Sequence, residues 1–154
     1  MRWWIALVLF AILPPAAAER RERARNDDAR RAGAEAIASN WDQYRKQVTL
    51  ADGRNVDLSR TLRRIADGKS LRDAGLPNHD GDGTVFLNLT DRSAGRRPLP
   101  DKPRGYYVEY VNPPRKGVRW PGPERVIVGR GGEAYYSPDH YDPRTIVPLR
   151  RTER

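Results

Sequence analysis

Between Gly105 and Tyr141 the chain carries three short runs rich in aromatic and β-branched residues. They are Tyr106-Tyr107-Val108-Glu109-Tyr110-Val111, then Arg125-Val126-Ile127-Val128-Gly129, then Tyr135-Tyr136-Ser137, which continues into Pro138-Asp139-His140-Tyr141. Runs of this kind, separated by Pro and Gly, predict strands of an antiparallel sheet. Each run or its flank carries one polar group that a core strand would not choose: Glu109, Arg125 and His140. Side chains alternate along a strand, so Tyr106, Val108 and Tyr110 share one face and Tyr107, Glu109 and Val111 the other. In the next run Val126 and Val128 turn inward and Arg125 and Ile127 outward. With the Val108 face covered, Glu109 and Arg125 lie together on the open face. His140 follows the third run, beside Pro138, at the strand end or in a loop.

A cover for the sheet is encoded upstream. Leu58, Leu62 and Ile65 recur at helical spacing, with Ser59 as N-cap and Gly68 as stop. A helix this short is stable only if that face packs on something, and the sheet is the partner. Arg60, Arg63 and Arg64 are expected to face solvent. Val48 and Leu50, then Val56 and Leu58, alternate around Asp52-Gly53, which reads as a hairpin. Thr84-Val85-Phe86-Leu87 reads as a further strand.

The N-terminal part divides by composition. Residues 1–18 have a basic start at Arg2, an apolar run from Trp3 to Leu13 and small residues at Ala16-Ala17-Ala18, the pattern of a secretory signal peptide cut before Glu19. The apolar run is too short for a spanning helix, which disfavours an uncleaved anchor. Residues 19–40 are rich in Arg, Ala and acidic residues, with no apolar stripe to dock a helix, so a basic flexible arm is expected. Residues 41–57 form an N-terminal extension with the hairpin, and 58–150 the main domain.

The formal charge of the 154-residue chain is +9, and it has no cysteine and two histidines, His79 and His140. Removal of residues 1–18, whose one charged residue is Arg2, leaves +8. Such a balance favours polyanionic partners, and the absence of cysteine excludes disulfides and cysteine zinc sites. Five cations in 91–104 (Arg92, Arg96, Arg97, Lys102 and Arg104) would steer nucleic acid or simply be solvated. Asn78-His79-Asp80-Gly81-Asp82-Gly83 looks like the start of a calcium loop, but its twelfth position is Leu89, where a bidentate Glu is needed. A tight Asp/Gly turn is the better reading. Asn88-Leu89-Thr90 matches a short and common glycosylation pattern.

Singly, Glu109, Arg125 and His140 have ordinary explanations: a solvated carboxylate, a cross-strand cation, a loop histidine. Together they form a base, an anion clamp and an acid, the set that cleaves RNA without a metal or other cofactor. The base takes a ribose 2′-OH proton, the acid protonates the departing 5′-oxygen, and the guanidinium stabilises the phosphorane.

Residues from about Leu58 to Tyr141 resemble the small secreted microbial ribonucleases of the barnase and guanyl-preferring family. The matching pieces are Asp82-Gly83-Thr84-Val85-Phe86 with Asn88, Leu99-Pro100, Gly105-Tyr106-Tyr107-Val108-Glu109-Tyr110, Arg125-Val126-Ile127-Val128-Gly129 and Asp139-His140-Tyr141. The resemblance implies an α+β fold, with a short helix or helices packed on a twisted antiparallel sheet, and RNA cleavage through a 2′,3′-cyclic phosphate. It implies Glu109 as general base, His140 as general acid, Arg125 as a phosphate-binding arginine and Tyr141 at the phosphate. A monomer is expected, secreted to the periplasm or the outside, with no stable membrane association after signal cleavage. The family also implies a small acidic inhibitor of the barstar type, which the charge of +8 would suit.

Two departures stand out. A second arginine is expected four residues before Arg125, where this chain has Pro121; Arg119 is the nearest candidate for that phosphate contact. The family reads guanine with Phe-x-Asn-Arg-Glu, and here Phe86-Leu87-Asn88-Leu89-Thr90-Asp91 places Thr90 at the Glu. Thr cannot accept two base protons as a carboxylate does, so base recognition falls to Phe86, Asn88 and, with a shifted loop, Asp91, and guanine preference stays open. The competing readings are a non-catalytic nucleic-acid- or partner-binding member of the same fold, and a basic envelope protein anchored by residues 1–18.

Overall fold

The computed structural model describes residues 15–150, so most of the expected signal segment lies outside the described residues. Helix α1 (Pro15–Ser39) leads into a hairpin of β1 (Gln47–Thr49) and β2 (Asn55–Asp57). Helix α2 (Ser59–Ala66) follows, then strands β3 (Thr84–Phe86), β4 (Tyr107–Val111), β5 (Arg125–Gly129), β6 (Ala134–Ser137) and β7 (Val147–Pro148). These last five pair antiparallel in chain order. The architecture is the expected α+β one, with helices on one face of an antiparallel sheet.

The predicted hairpin forms with Val48 opposite Val56. The predicted short helix buries Leu58, Leu62 and Ile65 against Val108, Tyr110 and Val126 of the sheet. Ser59 is not its cap: it is the first helical residue, and its backbone N–H donates to Asp57 Oδ1 at 2.8 Å. Gly68, at φ 65°, ends the helix in the left-handed region where glycine has no Cβ penalty.

Two further expectations are corrected. The stretch 19–40 is not an undocked arm, because α1 runs through it and buries Ala29 and Ile37 in the same core as α2. The docking stripe is Ala29, Gly33 and Ile37, four residues apart, and small residues let the helix come close. A Cβ on Gly33 would lie 3.0 Å from Val128 Cγ1. A search for large apolar residues misses such a stripe. Arg64 also does not face solvent. It is buried and holds Asp82 through both terminal nitrogens, Nη1 at 2.8 Å and Nη2 at 2.9 Å, while Nη2 also donates to Val111 O at 3.0 Å. Asp82 Oδ1 in turn accepts from Val111 N at 2.8 Å. The Asp/Gly turn is thus clamped to α2 and to the end of β4. Tyr44, fully buried, donates to Gly132 O at 2.7 Å, so residues from 41–57 belong to the same core.

Candidate active site

The second face of the sheet is only partly covered. Phe86, Tyr107 and Ile127 cluster there with Leu99 from the long loop after β3. Asn88 fixes that loop. Its Nδ2 donates to Leu99 O (3.0 Å) and Pro100 O (3.1 Å), and its Oδ1 accepts from Leu99 N (2.9 Å). Asn88 adopts φ 50°, a conformation asparagine tolerates better than most residues. The fixed loop, the end of β3 and the 139–141 turn enclose an open cleft of about 660 Å³. Phe86, Asn88, Asp91, Glu109, His140 and Tyr141 all line it.

Glu109 lies between Thr84 on β3 and Ile127 on β5. Burial pushes its carboxyl from 4.5 up to about 7; nearby Arg125 opposes the shift and Asp82 adds to it. The Thr84 hydroxyl gives its proton to Gly81 O at 3.0 Å. The Tyr141 hydroxyl donates to Glu109 Oε2, and the Tyr141 ring packs on Phe86 with centroids 4.7 Å apart.

Arg125 does not line the cleft. It is buried on the Glu109 side of β5, with Nη1 donating to Gly122 O and Glu124 O, both at 2.8 Å. Burial lowers its pKa from the ordinary value, with Glu109 and Asp82 opposing, and a guanidinium stays charged in any case. It therefore acts on the site as a fixed positive charge behind the carboxylate. Arg119 is not brought to the cleft; it is exposed, and its side chain makes no hydrogen bond or ion pair among the described residues.

His140 and Tyr141 occupy the left-handed region at φ 59° and 73°. Bulky residues adopt it at a cost of order 1–3 kcal/mol each, and such strain collects at functional sites. The turn is held by His140 N to Pro123 O (3.2 Å), Tyr141 N to Ser137 Oγ (2.7 Å) and Thr145 Oγ1 to Asp139 Oδ1 (2.8 Å). These contacts place one imidazole and one phenol on the cleft that Glu109 also lines.

The base-recognition residues fare unevenly. The Asn88 side chain is consumed by the loop latch, which also encloses the amide nitrogen of the glycosylation pattern. Asp91 Oδ1 accepts from Ser93 N, Ser93 Oγ and Ala94 N, which lowers its pKa and ties it into its own turn. Phe86 is a floor against Tyr141. Sequence reasoning did not select Leu87 and Leu89, which line the wall beside Thr90; both are exposed large apolar residues. Their exposure on a strand-to-loop run was the missed signal. Among the described residues no three His, Asp or Glu side chains converge as metal ligands would, and no helix is long and apolar enough to cross a membrane.

No family model matches the chain. It is 45% identical over 62 residues to the guanyl-specific ribonuclease St of Saccharopolyspora erythraea, which is 40% of this chain and 54% of the relative. The chain thus spans about half the length of that curated relative. A structure of ribonuclease Sa2 with guanosine-2′-cyclophosphate shows 33% identity over 61% of this chain and 84% of that one, at a TM-score of 0.42. Another, of ribonuclease Sa2 complexes with mononucleotides, shows 34% identity over 58% and 81%, at a TM-score of 0.40. The agreement in sequence, rather than the superposition, relates these chains.

Proposed function

We propose that this chain, a member of the microbial guanyl-preferring ribonuclease family, is an endoribonuclease that cleaves single-stranded RNA by transesterification. The observation that carries the reading is Glu109: a part-buried carboxyl at the cleft, raised to about 7, with His140 and Tyr141 on the same cleft wall. A general base is most effective with a pKa near the working pH.

In this mechanism Glu109 accepts the ribose 2′-OH proton and the 2′-oxygen attacks the adjacent phosphorus. His140 gives its proton to the departing 5′-oxygen. Charge building on the phosphorane is met by the Tyr141 hydroxyl, once it releases Glu109, and by the fixed field of Arg125. The 2′,3′-cyclic phosphate is then hydrolysed to a 3′-phosphate with acid and base exchanging roles. No metal ion is needed. Arg119, exposed and outside the cleft, has a phosphate role only if its loop closes on substrate. Guanine reading falls to the wall from Leu87 to Asp91 without the family's Glu, since Thr90 stands there.

The chain works outside the cytoplasm as a monomer once residues 1–18 are removed, free of the membrane, and a small acidic inhibitor of the barstar type is its natural partner. Its net positive charge supports both RNA and acidic-protein binding. One observation favours a second reading, binding without cleavage: the Tyr141 hydroxyl already occupies Glu109.

Purified protein without residues 1–18 is expected to cut single-stranded RNA in EDTA, leave DNA intact and release cyclic phosphate ends. The acidic limb of kcat/KM is expected near pH 7, because Glu109 must be ionised to act as base. A limb near the ordinary carboxylate value would show that burial does not raise the Glu109 carboxyl, and an unchanged limb in Glu109→Gln would remove Glu109 from that role. Failure of folded protein to cut any RNA would leave the binding reading.

A further inference from the structure

The cleft continues past its own wall. Val85 and Leu87, which line it, also line a neighbouring groove of about 310 Å³ bounded by Arg23 and Asn26 of α1 and by Arg104. That size lies at the lower end of small-ligand pockets, roughly 300–1,000 Å³. β3 is an edge strand of the sheet, so the groove runs between a strand edge and a helix. The helix is fastened there by its docked Ala29 and by the Asp28–Arg130 ion pair at 3.1 Å.

Three features of the groove suit a nucleotide. Its floor is apolar, with Leu87 half exposed. Its rim carries Arg23 and Arg104, whose side chains are 81% and 68% exposed, Arg23 only loosely paired with the exposed Glu19 at 3.8 Å. Asn26 Oδ1 is enclosed yet accepts no hydrogen bond among the described residues, and a buried acceptor of that kind calls for a donor. The one acidic side chain in the lining, Glu22, is held by Arg104 at 2.7 Å.

We propose that this groove is a second nucleotide subsite, which takes the neighbouring nucleotide of the same RNA strand as the cleft. The phosphate meets Arg23 and Arg104, the base lies on Val85 and Leu87, and the Asn26 amide turns its unpaired oxygen out to a base N–H or ribose hydroxyl. The proposal rests on the RNA reading of the main cleft, and it gives α1 a part in substrate binding as well as in the core.

The test is binding of uncleavable 2′-O-methyl oligonucleotides to the full chain. A tetranucleotide is expected to bind roughly tenfold more tightly than a dinucleotide, the worth of one charge-assisted hydrogen bond. Arg23→Ala combined with Asn26→Ala should remove most of that advantage and flatten the salt dependence, by a slope of about 0.7 for each phosphate no longer neutralised. Arg21→Ala, the same charge change outside the groove, should leave the advantage intact. A tetranucleotide no tighter than the dinucleotide, an advantage untouched by the double substitution, or one abolished equally by Arg21→Ala would overturn the subsite. Cleavage plays no part in the readout. A protein that cuts RNA but shows no length advantage loses the subsite alone, and one that shows the advantage but never cuts loses the nuclease reading alone.

Discussion

Alternate residues of the same strands build the two faces of the five-stranded sheet, and the two faces are finished differently. On one, Val108, Tyr110, Val126, Val128 and Tyr136 meet Ile37, Tyr44, Leu58, Leu62 and Ile65 in a continuous core. On the other, Phe86, Tyr107 and Ile127 have Leu99 and a latched loop as cover, and the cleft opens beside Glu109. The first face concentrates stability. The second gives up packing and gains a carboxyl that is desolvated enough to be raised to about 7 yet still reachable from a cleft. Partial cover is what permits both.

The sharpest way to break this contrast is on the closed side. Arg64→Met removes one partner of a pair buried to within a few per cent and leaves Asp82 without its counter-charge. Orphaning a buried charge costs about 3–5 kcal/mol, to be read by urea denaturation. A loss below about 1 kcal/mol, the scale of exposed pairs, would mean that stability is not concentrated there.

The open side predicts a pH effect of opposite character. The Glu109 carboxyl is raised in the folded state, so the fold favours its protonated form. Its contribution to stability is fully present below pH 4.5 and is lost as pH rises through about 7. The shift corresponds to on the order of 3 kcal/mol. Glu109→Gln should therefore lower cleavage by about 10²–10⁴-fold and yet make the protein more stable than the parent at pH 8, with little difference at pH 4. Equal stability gaps at both pH values would show that burial does not raise this carboxyl.

The smallest effect belongs to the loop. Asn88→Ala removes the latch to Leu99 and Pro100 and a residue suited to φ 50°, a loss of about 1–3 kcal/mol. It should appear first as faster hydrogen exchange at the Leu99 amide. Asn88→Gly keeps the backbone conformation and loses the latch, so it separates the two causes.

Periodicity made much of this legible. Strand alternation placed Glu109 and Arg125 on one face, and the spacing of Leu58, Leu62 and Ile65 placed α2 on the other. What stayed hidden has two physical sources. Ala and Gly carry little hydropathy signal and one Ile makes no stripe, so Ala29–Gly33–Ile37 reads as a solvated arm, although Gly33 is there to permit contact with Val128. Partnerships across the fold have no local signature either. Arg64 looks solvent-facing in sequence, yet Asp82 lies against it. Asn88 looks free to read a base, yet Leu99 and Pro100 take its amide. Nothing in the sequence announces that His140 and Tyr141 both sit at positive φ.

The docking of α1 also sets an order of assembly. Arg130 reaches back to the Arg25 carbonyl across 105 positions, and Tyr44 finds Gly132 across 88. Chains are made N-terminus first, and contacts this distant in sequence are slow to close. Of the described elements α1 is made first; α2 can meet it early, but the ties of α1 to the sheet and to Arg130 wait for strands made much later. In the interval its docking stripe exposes a single large apolar side chain, Ile37, beside the small Ala29 and Gly33. The feature that hid α1 from a hydrophobicity search is also what makes it a safe segment to leave waiting.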